Sequence, residues 1–269
     1  MNACNNVTRR ATLTRRAAVL MPLLLRTGLF PAGVARGNLL LLAAGGGLPF
    51  GLMVLAGAQF APAAHIGIFM AGTMPLFTAL AVWRVHGEAV QGPRWAGFAL
   101  IVAGVVALAL TGWANGAAAS WRGDALFLLA AMLWAVYTLA FRRSGLTPWQ
   151  GAAVVNAWSA LALLALLPWL GAPRLLTAPW QDLLFQGVWQ GGIAGLLGTV
   201  TYTAAVRRLG AARASLSAAL VPPMTSLGAA LVLGEDLGWK TMLAALLVAA
   251  GVALASGAVL ARRKPRVDS

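Results

Sequence analysis

AHIGIFMAGTMPLFTALAVWRVHGE (residues 64–88) and AARASLSAALVPPMTSLGAALVLGE (residues 211–235) are one pattern written twice. Ala64, Ala71, Pro75, Thr78, Leu80, Val85, Gly87 and Glu88 fall on Ala211, Ala218, Pro222, Thr225, Leu227, Val232, Gly234 and Glu235, each 147 residues later. The match runs on into the next apolar stretch, where Leu100, Ala103, Gly104 and Val105 fall on Leu247, Ala250, Gly251 and Val252. That makes twelve identities in 42 ungapped columns. An apolar chain matches itself by chance at Leu and Ala, but not at paired Pro, Thr and Gly-Glu. A repeat of this kind fixes the architecture before any single residue is considered.

Around the repeat the composition is that of a chain dissolved in lipid. Apolar residues make up 60% and charged residues only 10%, against about 25% charged in soluble domains. A bilayer-crossing helix needs roughly 20 predominantly apolar residues. Eight runs qualify: 38–58, 64–83, 95–112, 124–141, 150–170, 183–205, 211–233 and 241–261. None alternates as a barrel strand does, so each is expected to close its backbone hydrogen bonds as a helix. The net charge of +14 reads as topology, not as nucleic-acid binding. With the C-terminal tail placed in the cytoplasm, alternate connections carry thirteen cations, from Arg26 and Arg36 through Arg142 and Arg143 to Arg266. The opposite connections carry three: Arg122, Arg174 and Lys240. That is the positive-inside bias. The single Cys4 forms no internal disulfide, and neither a metal site nor a cofactor is expected.

From 64–83 to 211–233 the chain advances by five helices, an odd number, so the two copies cross in opposite directions. Inverted repeats of this sort build many secondary transporters, with the substrate near the midplane between the halves. The expected fold is therefore an all-α polytopic membrane bundle made of five-helix units. Residues 1–112 form the first unit, 113–123 a connecting loop, 124–261 the second unit and 262–269 a basic cytoplasmic tail. The first unit lacks its beginning. Stepping back 147 residues from 124–141 leaves the chain, and the counterpart of 150–170 holds Arg9, Arg10, Arg15 and Arg16. Eight clear spans are expected, with a short helix near residues 11–30 that either crosses or lies in the interface.

Three stretches carry a family resemblance. They are residues 61–105, residues 123–143 (GDALFLLAAMLWAVYTLAFRR) and residues 222–235 (PPMTSLGAALVLGE). Together they resemble the EamA-type branch of the drug/metabolite transporter superfamily, over about residues 38–261. The resemblance implies ten helices in two inverted units, and export or exchange of small metabolites across a bacterial inner membrane. Pro75, Pro222, Glu88 and Glu235 stand at positions that recur in that family. The missing first helix motivates an alternative reading, a non-transporting paralogue or assembly partner. An enzyme is not expected, because neither G-x-S-x-G nor H-E-x-x-H occurs.

Within the spans, Pro75 and Pro222, the latter doubled by Pro223, should kink their helices and shape a central cavity. Glu88 and Glu235 each follow a helix-ending Gly. They should turn to the next helix N-terminus or to a nearby cation, Arg84 or Arg94 for Glu88 and Lys240 for Glu235. No carboxylate lies in mid-span, which argues against a carboxylate proton relay and leaves facilitated exchange, coupling through His65, or ion binding by backbone carbonyls. His65 itself reads first as a neutral interfacial residue. Trp134, Tyr137, Asn156, Trp189, Gln190 and Tyr202 are the substrate-binding candidates, offering aromatic walls with a few polar groups. Ser159, Thr199 and Thr201 read as interhelical glue. Glycines 45–47 and 51, with 191, 192, 195 and 198, read as close packing of two corresponding helices. The partners expected are a small-molecule substrate and the lipid bilayer, with no nucleic acid and a homodimer left open.

Overall fold

The computed structural model describes residues 28–87, 90, 92–114, 120–170, 179–209, 215–235 and 238–256, and every regular element among them is helical. The N-terminal stretch of residues 11–27, Glu88 and the tail from 257 onward lie outside the described residues. Six helical stretches are long and apolar enough to cross a bilayer: Arg36–Gly57, Ala63–Val85, Arg94–Thr111, Ser120–Ser144, Pro148–Leu166 and Trp180–Leu209. Two more apolar helices, Val221–Leu233 and Trp239–Ala255, are shorter. Helices thus occupy all eight positions expected, but six, not eight, have spanning length among the described residues.

The prolines explain part of that difference. They do not kink continuous α-helices; each marks a change of helix type. Ile66–Ala71 winds as a π-helix, with the Gly72 amide donating to the Gly67 carbonyl at 2.9 Å, and the α-helix Met74–His86 starts with Pro75 in its first turn. In the second copy Ser215–Leu220 is a 3-10 helix, and Val221–Leu233 starts with Pro222 and Pro223 in its first turn. Proline has no amide proton to continue the ladder behind it, but suits the first turn, where that proton has no partner. Both α segments then end at a left-handed glycine, Gly87 (φ 66°) and Gly234 (φ 69°).

Glycine sets how closely the helices approach, since lipid offers no hydrophobic drive between them. Trp239–Ala255 packs along Gly92–Ala114 more extensively than any other pair. A Cβ on Gly97 would lie 2.6 Å from the Gly251 carbonyl oxygen and 2.4 Å from the Ala255 nitrogen, while one on Gly104 would lie 3.0 Å from the Ala244 carbonyl oxygen. The two helices therefore run antiparallel. Their contacts repeat at the 147-residue offset: Gly104 meets Ala244 and Val248, and Gly251 meets Gly97 and Ile101. Ile101 and Val248, also 147 apart, are both fully buried at the crossing.

The Ser120–Ser144 helix is the central post. Arg36–Gly46, Leu48–Gly57 and Met74–His86 all pack on it. Among the described residues it runs from Ser120, four residues before its apolar run, and Trp121 and Arg122 keep that first turn out of a hydropathy reading. Gly45 and Gly46 bring the first helix onto the backbone and ring of Tyr137. That helix then breaks at Gly47. Pro49 cannot donate to the turn behind it, and Ser159 Oγ accepts the freed Leu48 amide at 3.0 Å. The corresponding stretch of the second copy, Gly187–Gly198, is wound as a π-helix. Close packing is thus realised at Gly45, Gly46 and Gly47, whereas Gly51 and Gly191 face open space. Ser159 is an interhelical link as expected. Thr201 is not: it donates to Leu197 and Gly198 of its own helix. The exterior is apolar, with Leu231 84% and Val232 81% exposed, a surface suited to lipid chains and not to water.

Candidate functional site

Trp134 sits ten residues from Asp124 and ten from Ser144, so roughly 15 Å from either end region of its helix and close to mid-depth. Its ring is the hub of an aromatic cluster. Phe50 lies 5.1 Å away by ring centroids, Tyr137 5.1 Å and Tyr202 5.2 Å. Tyr137 stacks on Phe141 at 6.2 Å. Three elements supply these rings: the broken first helix just after Gly47, the central post, and Thr199–Leu209. The break at Gly47 turns Phe50 toward Trp134, and Gly46 leaves space for the Tyr137 ring.

The polar atoms of this cluster are unevenly satisfied. Tyr202 OH shares a hydrogen bond with Thr138 Oγ1 at 3.3 Å, and Thr138 also donates to the Trp134 carbonyl at 2.9 Å. The Trp134 indole faces Tyr202 as well. Trp134 Nε1 and Tyr137 OH are buried and, among the described residues, have no hydrogen-bond partner. A buried donor left unsatisfied costs about 1–3 kcal/mol, so these two atoms are the polar groups of the cluster open to a further acceptor. Asn156 spends its amide on its own helix, donating to the Ala152 carbonyl at 2.8 Å. Its Oδ1 lies 3.7 Å from where a Gly195 Cβ would stand.

Trp134, Tyr137 and Tyr202 are thus brought together, with Asn156 on the neighbouring Pro148–Leu170 helix. Trp189 is 54% exposed and stacks on Phe185 at 6.1 Å, and Gln190 is exposed. Phe50, Thr138 and Phe141 belong to the cluster and escaped the sequence reading. Phe50 had one signal, the Gly-Leu-Pro that precedes it. Roughly two turns beyond Trp134, a hollow of about 370 Å³ is lined by Phe141, Arg142, Gly145, Leu146, Val206 and Arg207. It opens at the end of the bundle where the cations gather, and Phe141 joins it to the aromatic cluster.

The opposite end of the post carries a second group. His65 Nδ1 lies 2.7 Å from Asp124 Oδ1, and both residues are buried, at 8% and 6% exposure. Glu235 accepts the amides of Ala63 at 2.7 Å and Ala64 at 3.3 Å. Glu235 therefore caps a helix of the first copy and bypasses Lys240, which lies over the Trp239 ring at 6.0 Å. Two free amides at a helix start attract a carboxylate more specifically than one exposed ammonium does. His65 is correspondingly a paired, buried histidine and not a solvated interfacial one. Asp124 lies one turn inside its helix, deeper than its apolar run suggests.

The EamA-like transporter family model matches residues 121–257. An uncharacterized protein of Pseudomonas aeruginosa is 32% identical over 177 residues, which cover 66% of this chain and 59% of that relative. A solved structure, titled only a crystal structure of a protein, superposes over 92% of this chain and 85% of its own with a TM-score of 0.52 at 24% identity. At that identity the likeness speaks for the fold alone. With half of the chain matched by the family model, this multi-pass membrane protein belongs to the EamA-like transporter family.

Proposed function

We propose that the chain exports small amphipathic metabolites by alternating access between two inverted five-helix units, with the aromatic cluster as its substrate site. The observation that carries this reading is the pair of buried donors without a hydrogen-bond partner among the described residues, Trp134 Nε1 and Tyr137 OH, at mid-depth in an aromatic box. The substrate is then a compound with an apolar or aromatic body and at least one carbonyl or carboxylate acceptor. Its body would lie among Phe50, Trp134 and Tyr202, and its acceptor would take the two donors. Asn156, with Trp189 and Gln190 on the π-helical stretch, would complete the wall once that stretch closes. The antiparallel pairing of the 92–114 and 239–255 helices, with contacts repeated at the offset of 147, supports two halves that rock about one crossing. The cation-rich end would face the cytoplasm of a bacterial inner membrane, as would the C-terminus, so that the hollow at Arg142 and Arg207 forms the loading mouth.

Flux of a panel of radiolabelled amphipathic metabolites in proteoliposomes tests this. For a transported compound, Tyr137→Phe should raise KM about tenfold, the effect of one lost hydrogen bond to a buried donor. Trp134→Phe should act in the same direction. Unchanged KM in both variants would move the substrate site elsewhere.

A further inference from the structure

The histidine of the pair at the far end of the post has no counterpart in the repeat. Under the 147-residue offset His65 falls on Ala212. Prolines, glycines and glutamates are shared by both copies; this histidine belongs to one copy alone. It also ties together two elements that must part if that face is to open. His65 stands where Ala63–His65 passes into the π-helical stretch before Pro75, and Asp124 stands on the central post. Next to it the chain is close-packed: a Cβ on Gly123 would lie 2.5 Å from that of Ala61, and one on Gly57 would lie 2.6 Å from the Phe127 ring. Phe69 covers the imidazole, with ring centroids 5.5 Å apart.

We infer that His65 and Asp124 form a proton-binding latch on the outer gate. The inference rests on the transporter reading. With a neutral imidazole, Nδ1–H donates an ordinary hydrogen bond to the carboxylate. Uptake of one proton at Nε2 makes an imidazolium, and the same contact becomes a buried ion pair, a stronger charge-assisted bond. The latch therefore holds when the outer side is acidic and loosens when the proton leaves. Other charges at this end come from each neighbouring element. The post brings Arg122, exposed over Trp121. Val221–Leu233 ends at Glu235, which is engaged by the Ala63 and Ala64 amides. Trp239–Ala255 brings the exposed Lys240. The 215–220 turn brings none, the charge of Gly92–Ala114, Arg94, stands at the opposite end, and Asp236 lies outside the described residues.

The test needs no substrate, so it separates the latch from the transport reading. The chain has two histidines, and His86→Asn leaves His65 as the only imidazole for nitrogen NMR. The His65 Nδ1 resonance should move between the parent and Asp124→Asn, since the amide keeps an acceptor but not the charge. Gate state is read in a Cys4→Ser background by the reaction of Ala61→Cys with an impermeant thiol reagent, normalised to exposed Gln59→Cys. The ratio should fall severalfold on acidification and stay flat in His65→Gln and Asp124→Asn. A pH-independent ratio in the parent, or an unchanged drop in either variant, overturns the latch even where flux is intact. A working latch without flux would sink the transport reading alone.

Discussion

Gly67 has no room for a side chain. A Cβ there would stand 1.7 Å from Thr225 Oγ1 and 3.0 Å from the Pro222 Cα. The same threonine donates to the carbonyls of Val221 and Pro222, so it is held in place by its own helix. This is the point where the π-helical stretch of the first copy rests on the proline turn of the second. Gly67→Ala should therefore lower stability by about 1–3 kcal/mol, the usual cost of overpacking. Thermal unfolding in detergent checks it, with Gly51→Ala as the comparison, because a Cβ at Gly51 meets nothing. Equal midpoints for the two variants would mean that the crossing opens readily. The sequence reading placed Gly51 and not Gly67 among the close-packed glycines, because by pattern both are simply small residues in apolar runs. Glu235 was partly legible: its place after a helix-ending glycine announced a capping carboxylate, but the helix it caps lies 172 residues away.

At the scale of elements, the irregular helices share a design. Ile66–Ala71 and Gly187–Gly198 are π-helical, Ser215–Leu220 is 3-10, and the first helix breaks at Gly47. Such stretches carry weaker backbone geometry and cluster at hinges and functional sites. Pro75 and Pro222 hold two of them open by withholding an amide proton. Pro75→Ala and Pro222→Ala should each let the α ladder run back into the irregular turn and change flux by roughly tenfold, equivalent to about 1.4 kcal/mol in the limiting step. Flux equal to the parent in both variants would leave the prolines with a packing role only. The sequence announced a departure from a straight helix at these positions, since proline allows nothing else. It did not announce the direction of the departure, which depends on whether the preceding turn is packed by Gly67 against a neighbour.

For the whole molecule, the crossing of Gly92–Ala114 with Trp239–Ala255 is the most extensive helix contact among the described residues, and the proposed mechanism makes it the joint of the rocking. Gly97, Gly104 and Gly251 let the backbones meet there. Gly251→Val should cost a few kcal/mol and lower the yield of folded protein, because the added methyls meet the Gly97 carbonyl and Ile101 rather than a flexible side-chain end. Gly228→Val, with open space around it, should be tolerated in the same expression and size-exclusion comparison. That contrast tests the joint without any assumption about substrate.

By itself the sequence determined that this chain lives in a bilayer as a helical bundle. Apolar runs without alternation leave the backbone no other way to satisfy its hydrogen bonds in lipid, and the paired Pro, Thr and Gly-Glu exposed the repeat. It also named Trp134, Tyr137 and Tyr202, because aromatic rings bearing a polar group are unusual in mid-span. Only the tertiary structure decided which of these share a cluster, since that depends on the rings of Trp134 and Tyr202, 68 residues apart in the chain, meeting at one depth. It alone joined His65 to Asp124 and Glu235 to Ala63. Local pattern specifies which element forms and which face is apolar. It carries no term for which two helix ends of the same side come within hydrogen-bonding distance, and that is where this protein keeps its charges.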